Sequence, residues 1–280
     1  MRVGKASFGS YFIRMHNSSG GQPMASTANV EPRIHYGIDA PGVFRANIIL
    51  GVLFASAAAA GLLWLGPTAV SVWLCAGAAL LATLLFYLAG VMLWSSLVGK
   101  MRVRDRLVSA MALAGHERVL DAGCGNGLAL IACAKKLTTG QAVGVDVWTT
   151  KDLSNNTPAA TLANAAAAGV ADRVDVKTGD ITRLPFPDAS FDVVVSMTVI
   201  HNISSQALRD QALCELVRVL KPGGRIAVFD LRHGERYAEV LQRAGLTVRD
   251  ISHDRLWLLS GRSLLAQKTR FDSKKFNPST

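Results

Sequence analysis

Between Arg45 and Lys100 the chain carries no charged side chain, and that absence limits what it can fold into more than any other feature. "NIILGVLFASAAAAGLLWL" (Asn47 to Leu65) and "AVSVWLCAGAALLATLLFYLAGVMLW" (Ala69 to Trp94) each reach the roughly 18 to 20 apolar residues that a helix needs to cross a hydrocarbon core. Gly66-Pro67 between them continues a helix poorly and suits a tight turn. Neither run has a polar face, which argues against a buried hairpin of a soluble core. The first run starts too far in, and is too long, for a cleaved signal peptide. The expectation is a transmembrane helical hairpin over residues 43–99.

The flanks orient it. Arg33 and Arg45 precede the first run, and Lys100, Arg102, Arg104 and Arg106 follow the second, whereas the turn is uncharged. The positive-inside rule then places both ends in the cytoplasm, with the basic cluster near anionic head groups. Part of the net charge of +10 is explained in this way. No dense Lys/Arg tract interleaved with aromatics points to nucleic acid.

Residues 1–42 read as a flexible N-terminal segment, with "NSSGGQP" (Asn17 to Pro23) as linker and Met24 as a second candidate start. In "RIHYGIDAPGVFR" (Arg33 to Arg45), His35 and Tyr36 either anchor at the membrane interface, the favoured reading, or fold over the following domain. Cys75, Cys124, Cys133 and Cys214 show no paired spacing, so neither a metal site nor a disulfide frame is expected. They read as reduced thiols, with Cys124 a small residue filling a tight loop rather than a nucleophile.

From Met101 the pattern changes to short apolar strands alternating with helices. Strands are expected at Arg118–Gly123, Gln141–Val147, Arg173–Asp180, Phe191–Met197 and Gly224–Asp230, with two more at Leu246–Asp254 and Ser263–Lys268. Helices fall at Gly127–Leu137, Thr157–Gly169 and Gln206–Leu220. This alternation implies an α/β, Rossmann-like, mostly parallel sheet covered on both faces, with its ligand at the carboxyl ends of the strands. The domain is assigned to residues 101–270, followed by a basic polar tail at 271–280.

The first strand runs into "DAGCGNG" (Asp121 to Gly127). Gly123, Gly125 and Gly127 let the backbone turn tightly and approach a ligand. Their Gly-x-Gly-x-Gly spacing differs from the Gly-x-Gly-x-x-Gly of a dinucleotide site. Asp121 before the loop suits a ligand with an ammonium group, and Asp146 ends the second strand where a ribose diol is held.

"VLDAGCGNG", "VGVDV", "GDITRLPFPDASFDVVVSMTVIHNI" and "RVLKPGGRIAVFD" resemble the successive motifs of class I S-adenosylmethionine-dependent methyltransferases. The likeness is greatest to the type 11 branch that includes the ubiquinone and menaquinone C-methyltransferases, and it covers Glu117 to Asp230. It implies a seven-stranded sheet with an antiparallel last strand and S-adenosyl-L-methionine as cofactor. It also implies that Asp121, Gly123, Cys124, Gly125 and Gly127 hold the methionine part and that Asp146 and Val147 lie at the ribose. Asp180 and Ile181 would sit at the adenine edge, and Ser196 and Met197 where cofactor and substrate meet. His201 is either a proton acceptor for the substrate or a loop histidine with its hydrogen bonds satisfied. The polar stretch after Asp146 departs from the family: Trp148 either stacks on adenine or packs beneath the loop, and Lys151, Asp152, Asn155 and Asn156 reach substrate or form a solvated turn. Asp188 and Asp192 read as turn formers, and Lys221–Gly224 as a helix-to-strand turn.

The reading that results is a membrane-anchored methyltransferase, its catalytic domain and both termini cytoplasmic. Its acceptor would be a small molecule, leading candidates being a lipid or quinone. A non-catalytic membrane adaptor of the same fold and an NAD-dependent oxidoreductase are the rivals. A hairpin that serves only as tether would leave a soluble, cofactor-binding domain after removal of residues up to Lys100.

Overall fold

A computed structural model describes residues 34–252 and 261–269. The linker at Asn17–Pro23, Met24, the strand end at His253 and Asp254, and the tail 271–280 lie outside the described residues.

Helix α1 (Pro41–Trp64) starts on a proline, whose missing N–H is no loss in a first helical turn. It ends at the extended Leu65, before Gly66-Pro67. Helix α2 (Ala69–Trp94) opens with a reciprocal cap: Thr68 Oγ1 accepts from the Ser71 N–H (3.1 Å) while Ser71 Oγ accepts from the Thr68 N–H (3.0 Å). The two helices approach through small residues. A Cβ on Gly61 would lie 2.5 Å from Cys75 Sγ, and one on Gly51 2.9 Å from the Phe86 ring. Their large apolar side chains point outward, Trp64 being 86% and Trp73 77% exposed.

α2 does not stop at the expected boundary near residue 100. It continues through a π-type turn at Ser95–Gly99 into α3 (Lys100–Ala110), so one helix runs from Ala69 to Ala110. α3 buries Val103, Leu107 and Val108, spaced along one face, against Leu130, Ile131 and Ala134. Hairpin and domain therefore share a helix.

The strands are β1 (Arg118–Ala122), β2 (Gln141–Asp146), β3 (Val174–Thr178), β4 (Phe191–Met197), β5 (Leu220–Asp230), β6 (Leu246–Asp250) and β7 (Arg262–Lys268). They form one seven-stranded sheet in the order β3-β2-β1-β4-β5-β7-β6, parallel from β1 to β5, with β7 antiparallel to both neighbours. Helices α4 (Leu128–Ala134) and α5 (Pro158–Ala167) follow β1 and β2, and α6 (Gln206–Val219) and α7 (Gly234–Arg243) flank β5. One core cluster joins the sheet to α6 and α7, the other joins it to α3 and α4. The order reverses between β1 and β4, which opens a crevice at their carboxyl ends.

Lys221–Gly224 is not a connecting turn. β5 begins at Leu220, opposite Phe191, and a bulge shifts the register so that Val193 faces Arg225. Gly224 is required there, since a Cβ would lie 2.7 Å from Asp192 O. Phe191 is fully buried, edge-on to Phe186 at 4.9 Å. Phe191→Ala is expected to cost about 3–5 kcal/mol, read as a fall in thermal midpoint; an unchanged midpoint would mean that this core is not formed.

Candidate active site

The glycines after β1 have left-handed φ values of +80° (Gly123), +50° (Gly125) and +86° (Gly127), which L side chains adopt at a cost. Space forbids side chains as well: a Cβ on Gly123 would run into Val199, and one on Gly125 would lie 2.7 Å from Leu153. The loop is tied to β2 by Gly123 and Cys124, whose N–H groups donate to Val145 O at 2.7 and 3.0 Å.

Asp146 at the end of β2 organises the neighbourhood. Its Oδ2 accepts from Gly125 N (2.9 Å), and its Oδ1 from Trp148 N (2.7 Å) and Asn156 Nδ2 (3.1 Å). Around it are three buried oxygens without partners: Asp121 Oδ2, Asn126 Oδ1 and Asn156 Oδ1. All are acceptors, and their residues line one cavity of about 420 Å³, a size typical of small-molecule sites. An unpaired buried acceptor costs about 1–3 kcal/mol, which a ligand rich in N–H and O–H donors recovers.

Asp121 is 1% exposed. Burial, with the nearby Asp146 adding to it, raises its carboxyl to about 7. The folded state then holds a proton that the unfolded chain has released, so stability falls as pH rises from about 4 to 7 and levels off above. Burial likewise raises the Cys124 thiol well above its ordinary range, which fits a packing role beside Gly144 and not a nucleophile.

Of the residues expected at the site, Asp121, Gly123, Cys124, Gly125, Asp146, Val147, Asp180, Ile181, Met197 and His201 line the cavity. Gly127, Trp148 and Ser196 do not. Gly127 turns the chain into α4, packed close to Ile131 and Thr161. Ser196 is 1% exposed and ties β4 to β1 by donating to Ala122 O at 2.9 Å. Trp148 turns away with its indole N–H on Thr178 Oγ1 (2.9 Å), so packing by the loop replaces adenine stacking. Asp180 also makes a turn, accepting from Thr182 N and Oγ1, both at 2.8 Å. Asp188 pairs with Arg218, and Asp192 with Lys221.

Residues 34–40 lie against the domain, the alternative that the sequence offered for His35 and Tyr36. Asn164 clamps the His35 backbone from both sides, accepting from its N–H (3.1 Å) and donating to its carbonyl (2.9 Å). Ile38 N donates to Ser154 Oγ, Ser154 N to Ile38 O and Ala40 N to Asp152 O, at 2.8, 3.2 and 2.9 Å. The polar stretch after β2 is thus the partner of this strap. Tyr36, Asp39 and Ala40 complete the cavity wall together with Lys100. The domain from Met101 onward does not by itself supply those four residues of the wall.

At another edge of the cavity, His201 Nδ1 is hydrogen-bonded to Asp230 Oδ1. Asp230, at the end of β5 and 1% exposed, also accepts from His201 N and Leu231 N, each at 2.9 Å, and from Tyr237 Oη at 3.3 Å. Four donors fill its acceptor positions. Burial, then the Asp230 charge, raises the Tyr237 phenol, which keeps it a donor. A carboxylate on Nδ1 keeps a proton on that nitrogen and orients the ring, leaving Nε2 as the other ring nitrogen, as in an oriented general base. Asp230 was not expected from the sequence, although it ends a parallel strand, where ligand-side residues gather; the strap corresponds to the less favoured of the two readings of His35 and Tyr36.

The comparisons agree with this geometry. Residues 120–228 match the sequence profile of a methyltransferase domain. The 27-O-demethylrifamycin SV methyltransferase of Amycolatopsis mediterranei is 37% identical over 131 residues, 46% of this chain and 44% of that one. The demethylmenaquinone methyltransferase of Lactiplantibacillus plantarum is 35% identical over 130 residues, 45% of this chain and 50% of that one. The chain thus spans half or less of these curated relatives. Among solved structures, the cyclase SpnF superposes with a TM-score of 0.50 at 24% identity, over 61% of this chain and 81% of that one. An O-methyltransferase family protein from Burkholderia thailandensis gives 0.51 at 16% identity, over 69% and 61%. These likenesses show the fold. Together, the profile match at 120–228, the relatives and the cavity at the glycine loop support an S-adenosylmethionine-dependent methyltransferase domain, with S-adenosylmethionine as its cofactor.

Proposed function

We propose that the chain is a membrane-anchored methyltransferase that methylates a small apolar acceptor, of lipid or quinone type, at a group deprotonated by His201. The observation that carries the reading is the His201–Asp230–Tyr237 chain standing on the same cavity as the glycine loop. S-adenosylmethionine supplies a methyl group activated on a sulfonium sulfur. Asp121, Asn126 and Asn156, which line the cavity, would lie near its methionine part, Asp146 and Val147 at its ribose, and Asp180 and Ile181 at its adenine. His201 Nε2 takes a proton from the acceptor while Asp230 holds the ring, and Met197, Val199, Ile203, Phe229 and Leu231 give that end of the cavity an apolar lining.

Two helices long and apolar enough to cross a bilayer support anchoring; their most apolar windows are only 11% and 17% buried. The basic residues at 100–106 set the cytoplasmic side. An anchor raises the local concentration of an acceptor dissolved in the bilayer. Transfer of radiolabelled methyl to a membrane lipid extract tests the reaction, and resistance of the chain to carbonate extraction tests the anchor; methylation of no lipid fraction, or ready extraction, would refute the respective part. A non-catalytic membrane adaptor of the same fold is the second reading, which the same assay separates.

Asp121 adds a pH test. Its carboxyl, raised to about 7 by burial, must be ionised to hold an ammonium group, so cofactor binding should tighten as pH rises from 6 to 8. In Asp121→Asn that part of the dependence should vanish; an identical pH profile in the variant would remove Asp121 from the ammonium site.

A further inference from the structure

Lys100 stands one residue beyond the π-type turn, where the second hairpin helix becomes the first helix of the domain. Its side chain is 8% exposed, and its ammonium donates to Tyr36 O (3.2 Å), Gly37 O (2.8 Å) and Asp39 Oδ1 (3.2 Å). Ser96, one helical turn earlier, accepts from Asp39 N (3.1 Å) and donates to Asp39 Oδ2 (3.4 Å). The strap is thus joined to α1 by the chain itself, to the π-type turn and the start of α3 by Ser96 and Lys100, and to the domain by Asn164 and the loop at 152–154.

The strap lies close over the cofactor loop. Gly37 has φ +76°, and a Cβ there would be 2.8 Å from Ser154 O and 2.9 Å from Asn126 Nδ2. Asn126 carries one of the unpaired oxygens of the cavity. A methionine at position 100 would fill the same space without the cost of desolvating a charge. What the ammonium adds is a fixed place for three consecutive strap groups.

We propose that Lys100 is a positioning residue that pins the strap over the cofactor cavity, so that the membrane hairpin is part of the cofactor site and not a tether. The proposal rests on the S-adenosylmethionine reading above. Its consequence is that cofactor affinity depends on the seating of the two hairpin helices, although neither hairpin span supplies a ligand-binding side chain of its own.

The test uses the full-length chain in phosphatidylcholine nanodiscs, comparing wild type with Lys100→Met and the milder Asp39→Asn. Calorimetry with S-adenosylmethionine should show about 10-fold or greater weakening for Lys100→Met and a smaller loss for Asp39→Asn. Amide exchange at Ile38 and Ala40 should quicken in both. Unchanged affinity in Lys100→Met overturns the proposal, as does a loss that follows a lowered thermal midpoint with no change in strap exchange. A wild-type chain that binds no cofactor defeats the cofactor reading itself, and the proposal with it.

Discussion

Replacing His201 with alanine should lower turnover by about 10²- to 10⁴-fold, the usual worth of a positioned general base, while S-adenosylmethionine still binds. His201 lines the cavity, and its backbone N–H is held by Asp230 Oδ2. Loss of the side chain therefore leaves the turn anchored. Asp230→Asn should show a large part of the same defect, because an amide in place of the carboxylate no longer dictates which ring nitrogen carries the proton. Tyr237→Phe removes only one of four donors to Asp230 and should cost much less. Kinetics at saturating cofactor, with affinity measured in parallel, distinguish these outcomes. Full turnover in His201→Ala would reduce His201 to a loop residue with its hydrogen bonds satisfied and would leave the acceptor to lose its proton to solvent.

Gly125→Val and Asp146→Ala should each weaken cofactor binding by 100-fold or more, on the order of 3 kcal/mol, without disturbing membrane insertion. In Gly125→Val a β-branched residue must take φ near +50° with its Cβ 2.7 Å from Leu153. A shift of the Leu153 side chain can relieve the clash but not the backbone strain, and a loop that relaxes its φ loses the Gly125 N–H bond to Asp146. Asp146→Ala leaves the donors of Gly125, Trp148 and Asn156 without their acceptor, each a loss of about 1–3 kcal/mol if unrepaired. Calorimetric titration reads the affinity, and carbonate extraction reads the insertion. Wild-type affinity in both variants would place the cofactor elsewhere in the molecule.

Features that depend on near neighbours in the chain were readable from the residues alone. Five short apolar runs separated by helices fixed the parallel core, and three glycines in five positions marked a backbone that must turn left-handed. Asp121 and Asp146 were legible because each ends a strand on the ligand side of the sheet. Contacts between distant parts of the chain were not. His35 meets Asn164 across 129 positions and Ile38 meets Ser154 across 116, and no local pattern encodes such a meeting. Between the two readings of Trp148 the sequence had no means to choose: its φ is +60° and its indole N–H meets Thr178 Oγ1, and a positive φ on a tryptophan has no sequence signature. The continuous helix from Ala69 to Ala110 was hidden because charge begins abruptly at Lys100, which reads as the end of a span although the helix runs on.

The account stands on the nature of the ligand in the cavity at the ends of β1, β2 and β4. The most direct measurement is calorimetric titration of S-adenosylmethionine, S-adenosylhomocysteine and NADH into the detergent-solubilised full-length chain. Micromolar binding of the first two and none of NADH is the predicted result. Binding of NADH alone, or of none of the three, would contradict it.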